Sequence, residues 1–218
     1  KDFDKNVERT KNRPIASGKI SVIIALIYSL FLCLLAFLVL LNFNFITILL
    51  AMASMPLAFT YPLMKRFTYW PQLFLGITFN YGLILGWTSI HENISIEPII
   101  FYFGAIFWTL GYDTIYGFQD IEDDEIIGVK STSIKFKKNA KIFLLSCYAV
   151  FIFSYLLIGI LMNFNSYFFL ISIIVAFHLF YFQIFRFDKD DKLKCLNIFK
   201  SNNFLGFVVF LSILIGKT

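Results

Sequence analysis

Charge is what this sequence has least of: 15% of its 218 residues are Asp, Glu, Lys or Arg, against 59% hydrophobic. Water-soluble domains carry about 25% charged residues and shorter apolar runs, so a soluble globular fold is excluded and a membrane class follows. Histidine is nearly missing. His91 and His178 stand far apart, one in a short connection and one in an apolar run, so neither has a partner for His-based catalysis or a zinc site. Cys33, Cys147 and Cys195 are odd in number and show no CxxC spacing, which excludes a disulfide framework. There is no Walker loop, no GxGxxG and no Ser–His–Asp set. The 29 Phe are spread over every apolar run and mark lipid-facing or core surface rather than a site.

What the chain does have is seven apolar segments, at 20–41, 46–64, 71–89, 95–112, 142–162, 167–185 and 204–216. Most approach the roughly 20 residues that an α-helix needs to cross a bilayer core. The fourth carries Glu97 near its start, and the last is short enough to be marginal. An all-α, polytopic transmembrane bundle forming one domain over 1–218 is expected. Lys and Arg alternate between connections: 18 of the 19 fall in the leading segment, after the second, fourth and sixth segments, and none in 42–45, 90–94 or 163–166. That alternation places the basic ends on the cytoplasmic face or its organellar equivalent. The net charge of +5 therefore calls for no nucleic-acid partner. Residue 1 is Lys, within a polar, basic stretch without a signal-like core, and the expectation is that an N-terminal part of the native chain precedes it.

Two acidic clusters lie on the basic side. The informative one is Gly111-Tyr112-Asp113-Thr114-Ile115-Tyr116-Gly117-Phe118-Gln119-Asp120-Ile121-Glu122-Asp123-Asp124. If the fourth helix continues through it, residues 113, 116, 117, 120 and 124 share one face. Asp113, Asp120 and Asp124 would then stack with Tyr116 among them, and Glu122 would point away into solvent. Like charges about 4 Å apart repel by about 4 kcal/mol at an effective dielectric near 20, a penalty that a divalent cation removes. Oxygen ligands without His or Cys suit Mg²⁺. An acidic run alone usually marks hydrated surface; this one begins inside an apolar helix, where ionisable groups are costly and functional.

The leading segment offers Asp4 for metal and Arg9 and Arg13, four apart, for an anion, before the turn residues Pro14, Ser17 and Gly18. Tyr61-Pro62-Leu63-Met64-Lys65-Arg66 sets Tyr61 and Lys65 one turn apart at the basic end of the second helix, and Lys130 follows the acidic cluster. Each alone fits an interfacial anchor. Together, carboxylates, a divalent cation and separate cations on one membrane face suit a diphosphate ligand. Glu92 and Glu97 read as outer-face surface, and Asp188, Asp190 and Asp191, alternating with lysines, as a solvated loop rather than a metal site.

Residues 111–133, GYDTIYGFQDIEDDEIIGVKSTS, closely resemble the second Asp-rich motif of UbiA-type intramembrane aromatic prenyltransferases. Residues 4–18 look like the end of that family's NDxxDxxxD motif and its following segment, and Tyr61 to Arg66 is similar to its YPxxKR element. The form of the second motif most resembles the 4-hydroxybenzoate polyprenyltransferase branch. The resemblance implies nine helices around a cavity, so that the first two are missing here and these 218 residues alone are inactive. It implies Asp4, Asp120 and Asp124 as metal ligands with Asp113 and Asp123 in support, and Arg9, Arg13, Tyr61, Lys65, Arg66, Tyr116 and Lys130 around the diphosphate. It further implies Mg²⁺ as cofactor, polyprenyl diphosphate and 4-hydroxybenzoate as substrates, and a bacterial inner membrane or, alternatively, a mitochondrial inner membrane as location. A different acceptor (naphthoate, homogentisate, haem or a glycerol phosphate) and an ion-coupled transporter are the competing readings.

Overall fold

The computed structural model describes residues 11–218; Asp4 and Arg9 lie outside the described residues. Every regular element described is helical: α1 (Val22–Leu40), α2 (Phe45–Thr60), a 3₁₀ turn (Tyr61–Leu63), α3 (Met64–Phe67), α4 (Pro71–Phe79), α5 (Gly82–His91), α6 (Ile96–Gly117), α7 (Ile121–Ile127), α8 (Thr132–Lys135), α9 (Ala140–Leu161), α10 (Ser166–Phe177) with a π-helical continuation (His178–Phe185), and α11 (Lys192–Lys217). Among the described residues, six stretches are long and apolar enough to span a membrane: Val22–Leu40, Phe45–Phe67, Pro71–His91, Ala140–Leu161, Ser166–Phe185 and Lys192–Lys217. The expected all-α transmembrane bundle is what forms.

The fourth apolar segment, α6, is not among those six. It is instead the core helix. It packs mainly along α9 and also against α4 and α11. Small residues bring the backbones together, as membrane interfaces require in the absence of a hydrophobic drive. A Cβ on Gly104 would lie 2.6 Å from that of Ser154, and one on Gly111 would collide with the Tyr148 ring. Trp108 stacks on Phe151 at 4.9 Å, and Phe151 on Tyr155 at 5.6 Å, extending the seam.

Two expectations need correction, the helix through 113–124 and the marginal last segment, and two other segments gain detail. The helix does not run through 113–124. α6 stops at Gly117, where Phe118 and Gln119 donate to the carbonyls of Ile115 and Tyr116 in tightened i→i−3 bonds. Asp120 then starts α7, which carries Glu122, Asp123 and Asp124 in its first turn. Three carboxylates at the end of α6 would oppose its dipole, whereas at the start of α7 they complement it. The third apolar segment is two helices, broken where Asn80 turns its carboxamide to the Gly76 and Ala105 carbonyls and the Thr109 hydroxyl. The sixth ends in a π-helix. The last is no marginal 204–216 segment: α11 spans 26 residues, so Lys192, Lys194 and Lys200 lie on its first turns rather than in a loop.

Candidate functional site

The acidic motif, the YPLMKR element and the segment after Gly128 converge at one end of the bundle. α2 reaches that end through Pro56, which has no N–H to give the carbonyl of Met52, and the Thr60 hydroxyl donates to Pro56 O at 2.7 Å. Pro62 then fixes the 3₁₀ turn. On the other strand of the site, α7 ends at Gly128, whose φ of +77° is a left-handed conformation suited to glycine. Gly128 N–H and Val129 N–H both donate to Asp124 O, at 3.0 and 3.1 Å. The next residue bridges the two elements: Lys130 N–H donates to Lys65 O at 2.8 Å.

A buried hydroxyl and carboxamide network holds this arrangement. Ser131 caps α8 by accepting from Ile134 N–H. Thr132 shares a hydrogen bond with Thr114 at 2.6 Å, and Ser133 donates to Thr114 O at 2.8 Å, tying α8 to α6. Gln72 accepts from Thr132 N–H at 3.0 Å, tying α8 to α4. Lys-Ser-Thr-Ser at 130–133 is thus a clamp. Sequence reasoning passed over Gln72 altogether; its position one residue after Pro71, at the first turn of an apolar helix, was the available signal.

Between these elements opens a cavity of about 420 Å³ lined by Arg13, Tyr61, Lys65, Arg66 and Asp113, with Gln72 at its wall. The structure therefore brings together five residues singled out from three separate stretches of sequence. Tyr61 and Lys65 share it although a 3₁₀ turn, not a continuous α-helix, separates them. Lys130 is placed differently from expectation. Its ammonium donates to Phe67 O at 3.3 Å and lies 5.6 Å from the Tyr69 ring centre, capping the end of α3. Tyr116 packs its ring against Phe199 at 4.3 Å.

Asp120 sits at the α6–α7 turn, and Asp124, 7% exposed, on the inner side of α7. Asp123 is half-buried beside it. Glu122 points outward and pairs with Lys192 at 2.6 Å, which holds its carboxyl below the ordinary range; it has no place in the cavity. Among the described residues, no three Asp, Glu, His or Cys side chains converge to hold a metal ion by themselves. The stacked triad expected of Asp113, Asp120 and Asp124 is lost with the helix break. The donor set still fits a hard divalent cation. Such a cation can take only one or two protein carboxylates and complete its shell with phosphate oxygens and water, and Asp120 and Asp124 are the two carboxylates that could hold one.

A second cavity of about 450 Å³ opens beside α6, lined by Trp108, Tyr112, Phe199 and the carboxamides of Asn80 and Asn202. Asn202 is held by two donors, Trp108 Nε1 and Gln183 Nε2, each at 2.9 Å from its oxygen. Tyr112 lines this cavity and Asp113 the basic one, so consecutive residues of α6 serve two compartments.

Fold and site define a polytopic helical membrane protein with a basic cavity and nearby carboxylates at one end of its bundle. The chain belongs to the UbiA prenyltransferase family, which it matches over residues 1–213. It is 41% identical over 220 residues to 4-hydroxybenzoate polyprenyltransferase, mitochondrial, of Rattus norvegicus, covering all of this chain and 58% of that one. To 4-hydroxybenzoate octaprenyltransferase of Francisella tularensis subsp. novicida it is 37% identical, over 96% of this chain and 74% of that one. The chain thus spans 58% of the length of the mammalian relative. A solved UbiA homolog from Aeropyrum pernix shares the fold, with a TM-score of 0.83 at 20% identity, covering 98% of this chain and 80% of that one.

Proposed function

We propose that this chain is the larger part of an Mg²⁺-dependent enzyme that transfers a polyprenyl group from polyprenyl diphosphate to the ring of 4-hydroxybenzoate, as in ubiquinone biosynthesis. The observation that carries this reading is the basic cavity, with Arg13, Tyr61, Lys65 and Arg66 around one carboxylate, Asp113. The names of the relatives support the substrates, and those relatives, mitochondrial and bacterial, support either inner membrane as the location.

In this reading Arg13, Lys65 and Arg66 take up the diphosphate charge, through charge-assisted bonds stronger than neutral ones, and Tyr61 donates its hydroxyl. Asp120 and Asp124 are the residues that would hold Mg²⁺, which when bound neutralises the leaving diphosphate. The allylic C–O bond breaks with its electron pair leaving on diphosphate. The ring carbon ortho to the phenol then bonds to the allylic carbon, and loss of the ring proton restores aromaticity. Trp108, Tyr112 and Phe199 line the adjoining cavity, where aromatic faces stabilise a cation by roughly 0.5–2 kcal/mol each and exclude water that would quench it. Arg9 and Asp4 extend the same proposal to residues outside those described.

The test is to incubate full-length protein in lipid with polyprenyl diphosphate, Mg²⁺ and a panel of acceptors. Prenylated 4-hydroxybenzoate is expected, with product lost in Asp120→Ala and Asp124→Ala. Undiminished product in both variants would sink the metal assignment; preference for another acceptor would sink the substrate.

A further inference from the structure

Six cations gather at a second place, away from the site already described. Lys137 and Lys138 from the connection between α8 and α9, Lys141 from the first turn of α9, Arg186 and Lys189 from the connection after the π-helix, and Lys194 from the start of α11 line a cleft of about 610 Å³. It shares no lining residue with the diphosphate cavity. Two carboxylates face it, Asp188 and Asp190. Asp188 is occupied in shaping the loop, accepting from Asp190 N–H at 3.2 Å. Lys137 is neutralised by Glu125 at 2.9 Å. Among the described residues, no carboxylate lies within ion-pair distance of Lys138, Lys141, Arg186, Lys189 or Lys194. Six cations against Asp188, Asp190 and Glu125 leave the cleft a net charge of +3; the excess cations around one concave space repel one another, and an anion in that space relieves the repulsion.

The position of the cleft says which anion. Three membrane-spanning stretches, Ala140–Leu161, Ser166–Phe185 and Lys192–Lys217, begin or end at it, so it lies at the depth of lipid headgroups. Its lip is apolar: Ile142 is 66% exposed and Phe185 71%. From Phe185 an exposed aromatic ladder descends, Phe185 stacked on Tyr181 at 5.4 Å and Tyr181 on Phe177 at 5.0 Å. A soluble anion needs no such track. A lipid with a phosphate headgroup above and an acyl chain below matches both parts. Basic pockets between helices at this face are the kind that bind anionic headgroups.

We propose that this cleft is a binding site for the headgroup of an anionic phospholipid, with one acyl chain lying along Phe185, Tyr181 and Phe177. The site is separate from the proposed activity and does not depend on it.

The experiment uses full-length protein in neutral detergent, titrated with dioleoylphosphatidylglycerol or dioleoylphosphatidylcholine and read by native mass spectrometry. Wild type should retain the anionic lipid on the order of tenfold more tightly, each basic residue near a membrane surface adding severalfold. K138Q/K141Q/R186Q should bring the two lipids to near parity, while K217Q, far from the cleft, should not. The charge-keeping variant K138R/K141R/R186K should restore the preference, which covers the case in which the neutral variant folds poorly. Millimolar inorganic phosphate or diphosphate should leave the lipid bound. Equal retention of both lipids by wild type would overturn the proposal, as would an unchanged preference in K138Q/K141Q/R186Q. Displacement of the lipid by inorganic phosphate would reassign the cleft to a soluble anion and equally overturn it.

Discussion

Replacing Gln72 by Ala removes the acceptor for Thr132 N–H, a bond of 3.0 Å between residues that are 4% and 0% exposed. No water reaches that amide at such burial, so the variant leaves a donor unsatisfied at about 1–3 kcal/mol. The loss falls on α8, which is four residues long and too short to hold itself without such anchors. Thr114 remains bonded to Thr132, so the clamp loosens rather than opens. Hydrogen exchange read by mass spectrometry should therefore quicken over residues 130–134, by about 5- to 160-fold from the same free energy. Displacement of the segment after Asp124 should also lower prenyl transfer, since a 1 Å misplacement near a reacting centre can cost about 10²-fold. Gln72→Glu separates the two roles. It keeps an acceptor for Thr132, so exchange stays slow, but sets a carboxylate in the wall of a cavity lined by Arg13, Lys65 and Arg66, so KM for the diphosphate should change. Unaltered exchange and unaltered turnover in Gln72→Ala would refute the clamp.

Lys65→Ala should weaken diphosphate binding by about 10- to 100-fold, the worth of a charge-assisted bond, seen as a raised KM with the helical content unchanged. Gly111→Ala drives a methyl into the Tyr148 ring; overpacking of about 1–3 kcal/mol should lower the midpoint of thermal unfolding in detergent, and Gly111→Ala with Tyr148→Phe should not recover it, since the ring remains. Glu122 is held below its ordinary value by Lys192. The α7–α11 tie is therefore complete above that ordinary value of 4.5 and is lost as pH falls through the depressed one; exchange at the first turns of α11 should rise at acid pH, and Glu122→Gln should abolish that pH dependence.

Much of this architecture was legible because two independent patterns agreed. Apolar runs gave helix positions, and the alternation of Lys and Arg fixed which ends lie together; the cavity of Arg13, Tyr61, Lys65, Arg66 and Asp113 forms at the end those cations mark. The residues that escaped are those whose meaning is set by tertiary context. A period of 3.6 says where a continuous helix would aim Asp113, Asp120 and Asp124. It cannot register that Gln119 and Phe118 close α6 early, nor that an acidic run is better placed at a helix start. Lys130, after the acidic cluster, carries the same charge as Lys65 in the YPLMKR element, yet its ammonium caps α3; only the fold distinguishes the two. Gln72 is the single carboxamide of α4, and Asn202 is one of three on α11, with Asn197 and Asn203. The position of Gln72 after Pro71 marks a helix start but not a role; the roles of Gln72 and Asn202 come from partners on other elements, at separations of 60 and 94 residues. α11 was underestimated because Lys194, Lys200, Asn202 and Asn203 lower its hydropathy at the headgroup level, where polar side chains reach water from a helix.

The bond from Lys130 N–H to Lys65 O joins main chain to main chain, and is therefore indifferent to which side chains stand at either end. The separation between the basic and the acidic halves of the site is a matter of path length along the loops. Substitutions at 65 and 130 can retune charge without disturbing that spacing. A single residue inserted between Gly128 and Lys130 would shift the register, and no choice of side chain would put it back.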